Sequence, residues 1–437
     1  MKSRCIVLLL AAFAALPDWA PLLAQERTTS LGELKYVVIV HRHGVRPPLW
    51  TEERLNKYSS EPWPKWDVPM GNLTGHGKAL IRLLGAYERA RFAQAGLLSP
   101  DGCGDAKRIY IWADTDERTI STGKALAEGM MPDCDLPVQS LAAGATDPLF
   151  SPVEAGIGHP DRQMAAAAIS GRIGDHPEAL AQAYRPELEV MEQVLFGCQG
   201  GPNCPPPGKT SLLDLQATVE VGHGDHIAEL RGPVTIASAL AQDFLLEYAD
   251  GMQGKDLGWG RLDETNLRQM LVLHTLYSEL ARRTPYIGRM QASNLLSHIL
   301  ESLEQAVSGR PVSGALGKRD DCLLVLVGHD GNLSNISGTL DLSWLLPGDL
   351  PNDTPPGGAL IFQLWRRPAD GELFVTTSYM AQTLEQMRKA VPLTVESPPA
   401  NAAVFVPGCS QAGPGMPCAW KAFRRTVENA LDPSMVR

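Results

Sequence analysis

The chain has 437 residues, of which 44% are hydrophobic and 20% charged, with a net charge of −10. That length leaves room for two domains and a substantial core. The acidic balance excludes nucleic acid and anionic membranes as general partners, so an anionic ligand would need a local basic pocket.

Residues 1–24 read as a secretory signal, with Lys2 and Arg4 ahead of an apolar run from Ile6 to Leu16 that Pro17 and Asp18 end. No later segment has the roughly 20 apolar residues of a membrane-spanning helix. The expected location is therefore periplasmic or secreted, where cysteines pair. Cys5 leaves with the signal. Cys198 and Cys204 bracket "CQGGPNC", and Cys409 and Cys418 bracket "CSQAGPGMPC". Both are Gly/Pro-rich loops suited to a local disulfide. Cys103 and Cys134 flank a strand-then-helix pattern and form a third expected pair. Cys322 opens the apolar run "CLLVLVGHD" and reads as a buried free thiol.

The first strand is expected at Tyr36–Val40, within "VVIVHRHGVRPP". A helix starting near Thr74 follows in "LTGHGKALIRLLGAYERARFAQAG". A second strand, Ile109–Trp112, runs into "ADTDERT" and the helical pattern "DERTISTGKALAEGM". Residues 156–258 carry longer helical patterns around a Gly/Pro-rich loop. They read as an all-helical domain inserted between two parts of an α/β domain, 25–155 and 259–437. Helices resume at "LRQMLVLHTLYSELARR" and "ASNLLSHILESLEQAV". A third strand, Leu323–Val327, ends in "GHDGN" ahead of a helix from about Asn332. The proline-rich stretch 346–358 reads as a loop before the strand "GALIFQLW". The three early strands have no polar face, as in a mostly parallel sheet flanked by helices on both sides.

Ligands of open α/β sheets bind beyond the carboxyl ends of the strands. If the three strands are neighbours, His43, Arg42, Arg46, Arg118, His329 and Asp330 meet in one cleft. Three guanidiniums can hold a dianionic phosphate through forked donors. A neutral imidazole can attack phosphorus, and a carboxylic acid can protonate a departing alkoxide. The N-terminus of the helix from about Asn332 would aim free backbone N–H groups at the same anion.

The residues "RHGVRPP" at 42–48 with "HD" at 329–330 resemble the secreted histidine acid phosphatases. "WADTDERTISTGKALAEG", "GWGRL" and "GHDGNLSNISGTLDLSWLLPG" are similar to their bacterial phytase and acid-phosphatase branch. The resemblance implies a phosphoglycerate-mutase-like α/β fold with a helical domain. It implies His43 as the nucleophile, Asp330 as the proton donor, and Arg42, Arg46, Arg118 and His329 as phosphate ligands. It implies neither a metal nor an organic cofactor, and a small phosphate monoester as substrate; a monomer is expected. The chain departs from the family at Leu49–Trp50, where phytases often have Thr-Lys. It departs again at Gln242, where a glutamate is expected, and at Gly331, where threonine is. Trp50, Gln242 and Arg289 are then the expected substrate-side residues, with Trp50 able to stack on a ring and Arg289 as the remaining rim cation. The reading is a broad phosphatase that accepts phytate.

Three alternatives compete. A metal-dependent phosphohydrolase could use His41, His43, His329 and Asp330, or His223, Asp225 and His226 of "GHGDH". Arg42, Arg46 and Arg118 would repel its cation. A non-catalytic phosphate-binding protein would need the arginines without the nucleophile and acid. A phosphoglycerate mutase would share the Arg-His-Gly element, but it is intracellular and uses a different acid.

Overall fold

The computed structural model describes residues 31–198 and 204–437. The signal segment expected over 1–24 lies outside them. Ten strands occur along the described chain: β1 Glu33–Arg42, β2 Ile109–Ala113, β3 Val138–Gln139, β4 Thr218–Val221, β5 Ala228–Arg231, β6 Leu323–Gly328, β7 Ala359–Arg366, β8 Leu373–Ala381, β9 Ala400–Val404 and β10 Cys418–Ala419.

The main sheet runs β3-β2-β6-β1-β7-β8, and β9 and β10 both pair with β8. The pairings of β1 with β6, β6 with β2 and β2 with β3 are parallel, as the apolar runs imply. From β7 outward the sheet is antiparallel. Val37–Val40 and Leu323–Val327 are fully buried because helices cover both faces. On one face, Val38 and Val40 pack with Leu296 and Ile299 of the helix Pro285–Ser308 and with Ile336 of the helix Asp330–Leu340. On the other, His41 meets Glu88 of the helix Gly75–Gln94, Nε2 to Oε1 at 2.9 Å. That helix starts where its sequence places it. Thr74 caps it, accepting from the Gly77 N–H at 2.8 Å. A Cβ on Gly77 would fall 2.7 Å from the Val45 carbonyl, so this helix end presses on the loop leaving β1.

The segment expected to be all-helical carries a sheet of its own. Besides the helices Arg162–Arg172, Pro177–Ala183, Arg185–Phe196 and Pro233–Ala249, β4 and β5 form a two-stranded antiparallel ribbon around "GHGDH". Its physical basis is alternation: Ala228 and Leu230 are buried, while Glu229 and Arg231 face outward and pair with each other at 2.7 Å. The helix Glu264–Ala281, beyond the expected boundary at 258, shares one apolar core with Pro233–Ala249 through Leu267, Met270, Leu240 and Phe244.

The three expected disulfides are present, Cys103–Cys134, Cys198–Cys204 and Cys409–Cys418, and Cys322 is free and buried. No described helix is long and apolar enough to cross a membrane.

Candidate active site

The parallel registers align three strand ends. Arg42 of β1 stands opposite Gly328 of β6, and Ala113 of β2 opposite Val327. The side chains that follow each end therefore converge: His43 and Arg46 after β1, Asp114 to Arg118 after β2, and His329 and Asp330 after β6. The helix Asp330–Leu340 begins two residues before the expected start. Asn332 Oδ1 caps it by accepting from the His329 N–H at 2.9 Å.

His43 is buried, and its Nδ1 donates to the Gly44 carbonyl at 2.8 Å. The lone pair is then on Nε2, where a nucleophile needs it. Burial, and then Arg42, Arg46, Arg118 and His329, hold its pKa well below the ordinary histidine value. The ring is thus neutral in acid.

Arg42 is fully buried and donates to the Thr354 carbonyl at 2.5 Å. Arg46 donates to the Pro47 carbonyl at 2.8 Å and to Gln242 Oε1 at 3.0 Å. Arg118 pairs with Asp116 at 2.5 Å. Among the described residues, Nε and Nη2 of Arg42 and Nε of Arg46 and Arg118 are buried without a hydrogen-bond partner. Buried donors of this kind are costly unless something satisfies them, and a bound oxyanion would. Burial lowers the Arg46 guanidinium to about 10, which leaves it charged in acid.

His329 packs edge-on to His43, with ring centroids 5.6 Å apart. Its Nε2 meets Asp114 Oδ2 at 2.7 Å, and its Nδ1 lies 3.5 Å from Arg118. Asp330 accepts from Arg282 Nη1 at 2.6 Å, from Gln242 Nε2 at 3.2 Å and from the Gly331 N–H at 3.0 Å. Burial by itself would raise this carboxyl. Arg282 and then Arg42 outweigh it and hold the group well below the usual carboxylate range.

A cleft of about 640 Å³ opens beside these residues, reaching them through Gln242, His274 and Arg282. Trp50 lines it, with the Arg54 guanidinium 3.7 Å from its ring centroid. Gln242 joins Arg46 to Asp330. Arg289 does not come to the cleft: it donates to the Leu431 carbonyl at 2.6 Å, because its helix packs against the C-terminal segment. The cations on the cleft wall are instead Arg54, Arg231 and Arg282.

The ligand set His41, His43, His329 and Asp330 is not assembled. His41 points to the far face of β1, toward Glu88 and the Gly357 carbonyl. His223 is exposed beside Glu229, on the ribbon. Sequence reasoning missed Asp114, His274 and Arg282. Asp114 stood in the quoted "ADTDERT", where its sequence signal was that of a helix start. Arg282 carried no more signal than a basic pair closing a helix.

Residues 33–195 match the histidine phosphatase superfamily, branch 2. Over 413 residues the chain is 35% identical to the phytase AppA of Escherichia coli strain K12, covering 92% of this chain and 93% of that protein. The chain belongs to this superfamily and is a hydrolase of phosphoric monoesters. It is also 29% identical to a glucose-1-phosphatase of Salmonella typhimurium, covering 93% of this chain and 95% of the relative. The structure of a Hafnia alvei phytase in complex with tartrate superposes with a TM-score of 0.85 at 35% identity, covering 93% of this chain and 99% of that one.

Proposed function

We propose that the chain hydrolyses phosphate monoesters through a covalent phosphohistidine at His43. The phosphoryl group is held by Arg42, Arg46, Arg118 and His329. Nε2 of His43 forms the N–P bond as the ester P–O bond breaks, and Asp330 gives its proton to the departing alkoxide. Water then attacks phosphorus, Asp330 takes its proton, and the N–P bond breaks to release phosphate. The observation that carries this reading is the His43 ring itself. Nδ1 is tied to Gly44, Nε2 is left unprotonated, and three guanidiniums surround it.

The substrate class we favour is broad. The cleft is far larger than one phosphate, and Trp50, Arg54 and Arg282 on its wall suit both sugar phosphates and phytate. Arg231, also on the wall, is already neutralised by Glu229 and Glu220. We place the enzyme outside the cytosol as a monomer. The three disulfides support export.

The test is to mix enzyme with labelled substrate and quench in alkaline denaturant. A base-stable, acid-labile phosphoprotein is expected, absent in His43→Ala. Labelling that persists in that variant would overturn the assignment.

A further inference from the structure

One oxygen of the carboxyl assigned as proton donor is fully occupied as an acceptor. Arg282 Nη1 and Gln242 Nε2 both donate to Asp330 Oδ2, at 2.6 and 3.2 Å, and the Gly331 N–H donates to Oδ1 at 3.0 Å. Arg282 and Gln242 both line the cleft, so Oδ2 is the oxygen on the substrate side. A carboxylic acid carries its proton on one oxygen, and an oxygen facing two N–H donors has no room for it. Arg282 must turn away before Asp330 can hold a proton there.

Arg282 can turn. It follows the helix Glu264–Ala281, its side chain is 27% exposed, and its ion-pair partner among the described residues is Asp330. Gly331 leaves space beside it. An added Cβ at Gly331 would meet only Arg282 Nε, at 4.0 Å.

We propose that Arg282 is a positioning residue that makes Asp330 answer to a second anionic group on the substrate. A phosphate other than the one being cleaved draws Arg282 off Asp330 into the cleft, and the freed carboxyl takes up a proton. Within that broad class, polyols carrying two or more phosphates keep their rate to higher pH. A monophosphate leaves the Arg282–Asp330 pair closed and is cleaved efficiently only at lower pH. This rests on the reading of Asp330 as the acid.

The other charged groups facing Asp330 do not distinguish the two substrate types. Arg42 and Arg46, both near enough to Asp330 to act on its charge, serve the reacting phosphate of either substrate in the proposed mechanism. Burial pushes His274 down to about 3, so it stays neutral, and Tyr277 is pushed up and stays neutral. Burial also raises Tyr379 well above its ordinary value and Asp353 to about 6, on the Arg42 side. Arg282 is the first of the charges holding the Asp330 carboxyl down.

The test is burst-phase kinetics of phosphohistidine formation at saturating phytate and at saturating sugar monophosphate, across pH. Saturating measurements report the complex and not the free enzyme. In the wild type, the alkaline limb for phytate should lie about one pH unit or more above that for the monophosphate, the usual scale of one neighbouring charge. Arg282→Gln should raise the monophosphate limb to the phytate position, and Arg282→Lys should keep part of the gap. In kcat/KM, which reports the free enzyme, both substrates should share one limb that Arg282→Gln moves upward. Coincident limbs in the wild-type burst, or a gap unchanged in Arg282→Gln, would overturn the proposal. Failure of Asp330 itself as the acid shows separately. Asp330→Asn would then lose no more on sugar phosphates than on p-nitrophenyl phosphate.

Discussion

Replacing Asp330 by asparagine keeps the side chain's size and deletes the transferable proton. In the structure this carboxyl accepts from Arg282, Gln242 and the Gly331 N–H, and it makes no hydrogen bond to Arg42, Arg118 or His43. The phosphate pocket should therefore survive the change, and KM for small monoesters should move little. Loss of the acid should cost about 10²- to 10⁴-fold in the rate of phosphohistidine formation from a sugar phosphate, or about 2.7–5.4 kcal/mol. p-Nitrophenolate leaves without a proton, so its ester should lose roughly tenfold or less, about 1.4 kcal/mol. The assay is burst-phase release of each alcohol by wild type and variant under identical conditions. The alkaline limb of the sugar-phosphate profile should vanish in the variant, since the group that titrates is gone. Equal losses on both esters would refute the assignment and leave Asp330 as a residue that only arranges Arg282 and Gln242.

Asp114→Asn should weaken the hold on His329, whose Nε2 lies 2.7 Å from that carboxylate. KM for every phosphate ester should rise about tenfold with phosphohistidine still trapped, and an unchanged KM would count against His329 as a ligand. Arg54→Gln removes the guanidinium lying 3.7 Å over Trp50. Its kcat/KM should fall more for phytate than for p-nitrophenyl phosphate, by roughly tenfold, as a cation on the cleft wall requires. Burial pushes the Asp243 carboxyl up to about 7, against the opposing pull of Arg46. A carboxyl raised on folding contributes stability that is complete below its unfolded value of 3.8 and is lost as pH rises through about 7. Asp243→Asn should therefore have its Tm most favourable relative to wild type at pH 8 and least at pH 4. A constant difference across that range would refute the shift.

Much of the site was legible because it is contiguous. "HRHGVR" places Arg42, His43 and Arg46 within five residues of one strand end, and "GHD" does the same for His329 and Asp330. A strand end has one direction, so residues this close in sequence stay close in space. The parallel core was legible too, since strands buried on both faces must be apolar throughout. The ribbon β4–β5 was not. Four-residue strands carry too little alternation to stand out among helical patterns. His41 shows the limit of proximity. It lies two residues from His43, where an unbroken strand would put both on one face, but β1 ends at Arg42, so His41 stays with Glu88 while His43 follows the chain beyond the strand. Arg282, His274 and Asp114 belong to Asp330 and His329 across 48, 56 and 215 residues of chain. Nothing local marks such partners, because what selects them is the packing of the helix Glu264–Ala281 against the helix Asp330–Leu340 and the alignment of β2 beside β6. The two arginines at 282 and 283 make the point within a single dipeptide. Arg283 turns inward to Ser337 and the Leu342 carbonyl, and its neighbour reaches the Asp330 carboxylate. The sequence determined which chemical groups the site would hold. The tertiary structure decided which of two adjacent identical side chains would face it, since a residue's direction off a helix end is set by what packs around it.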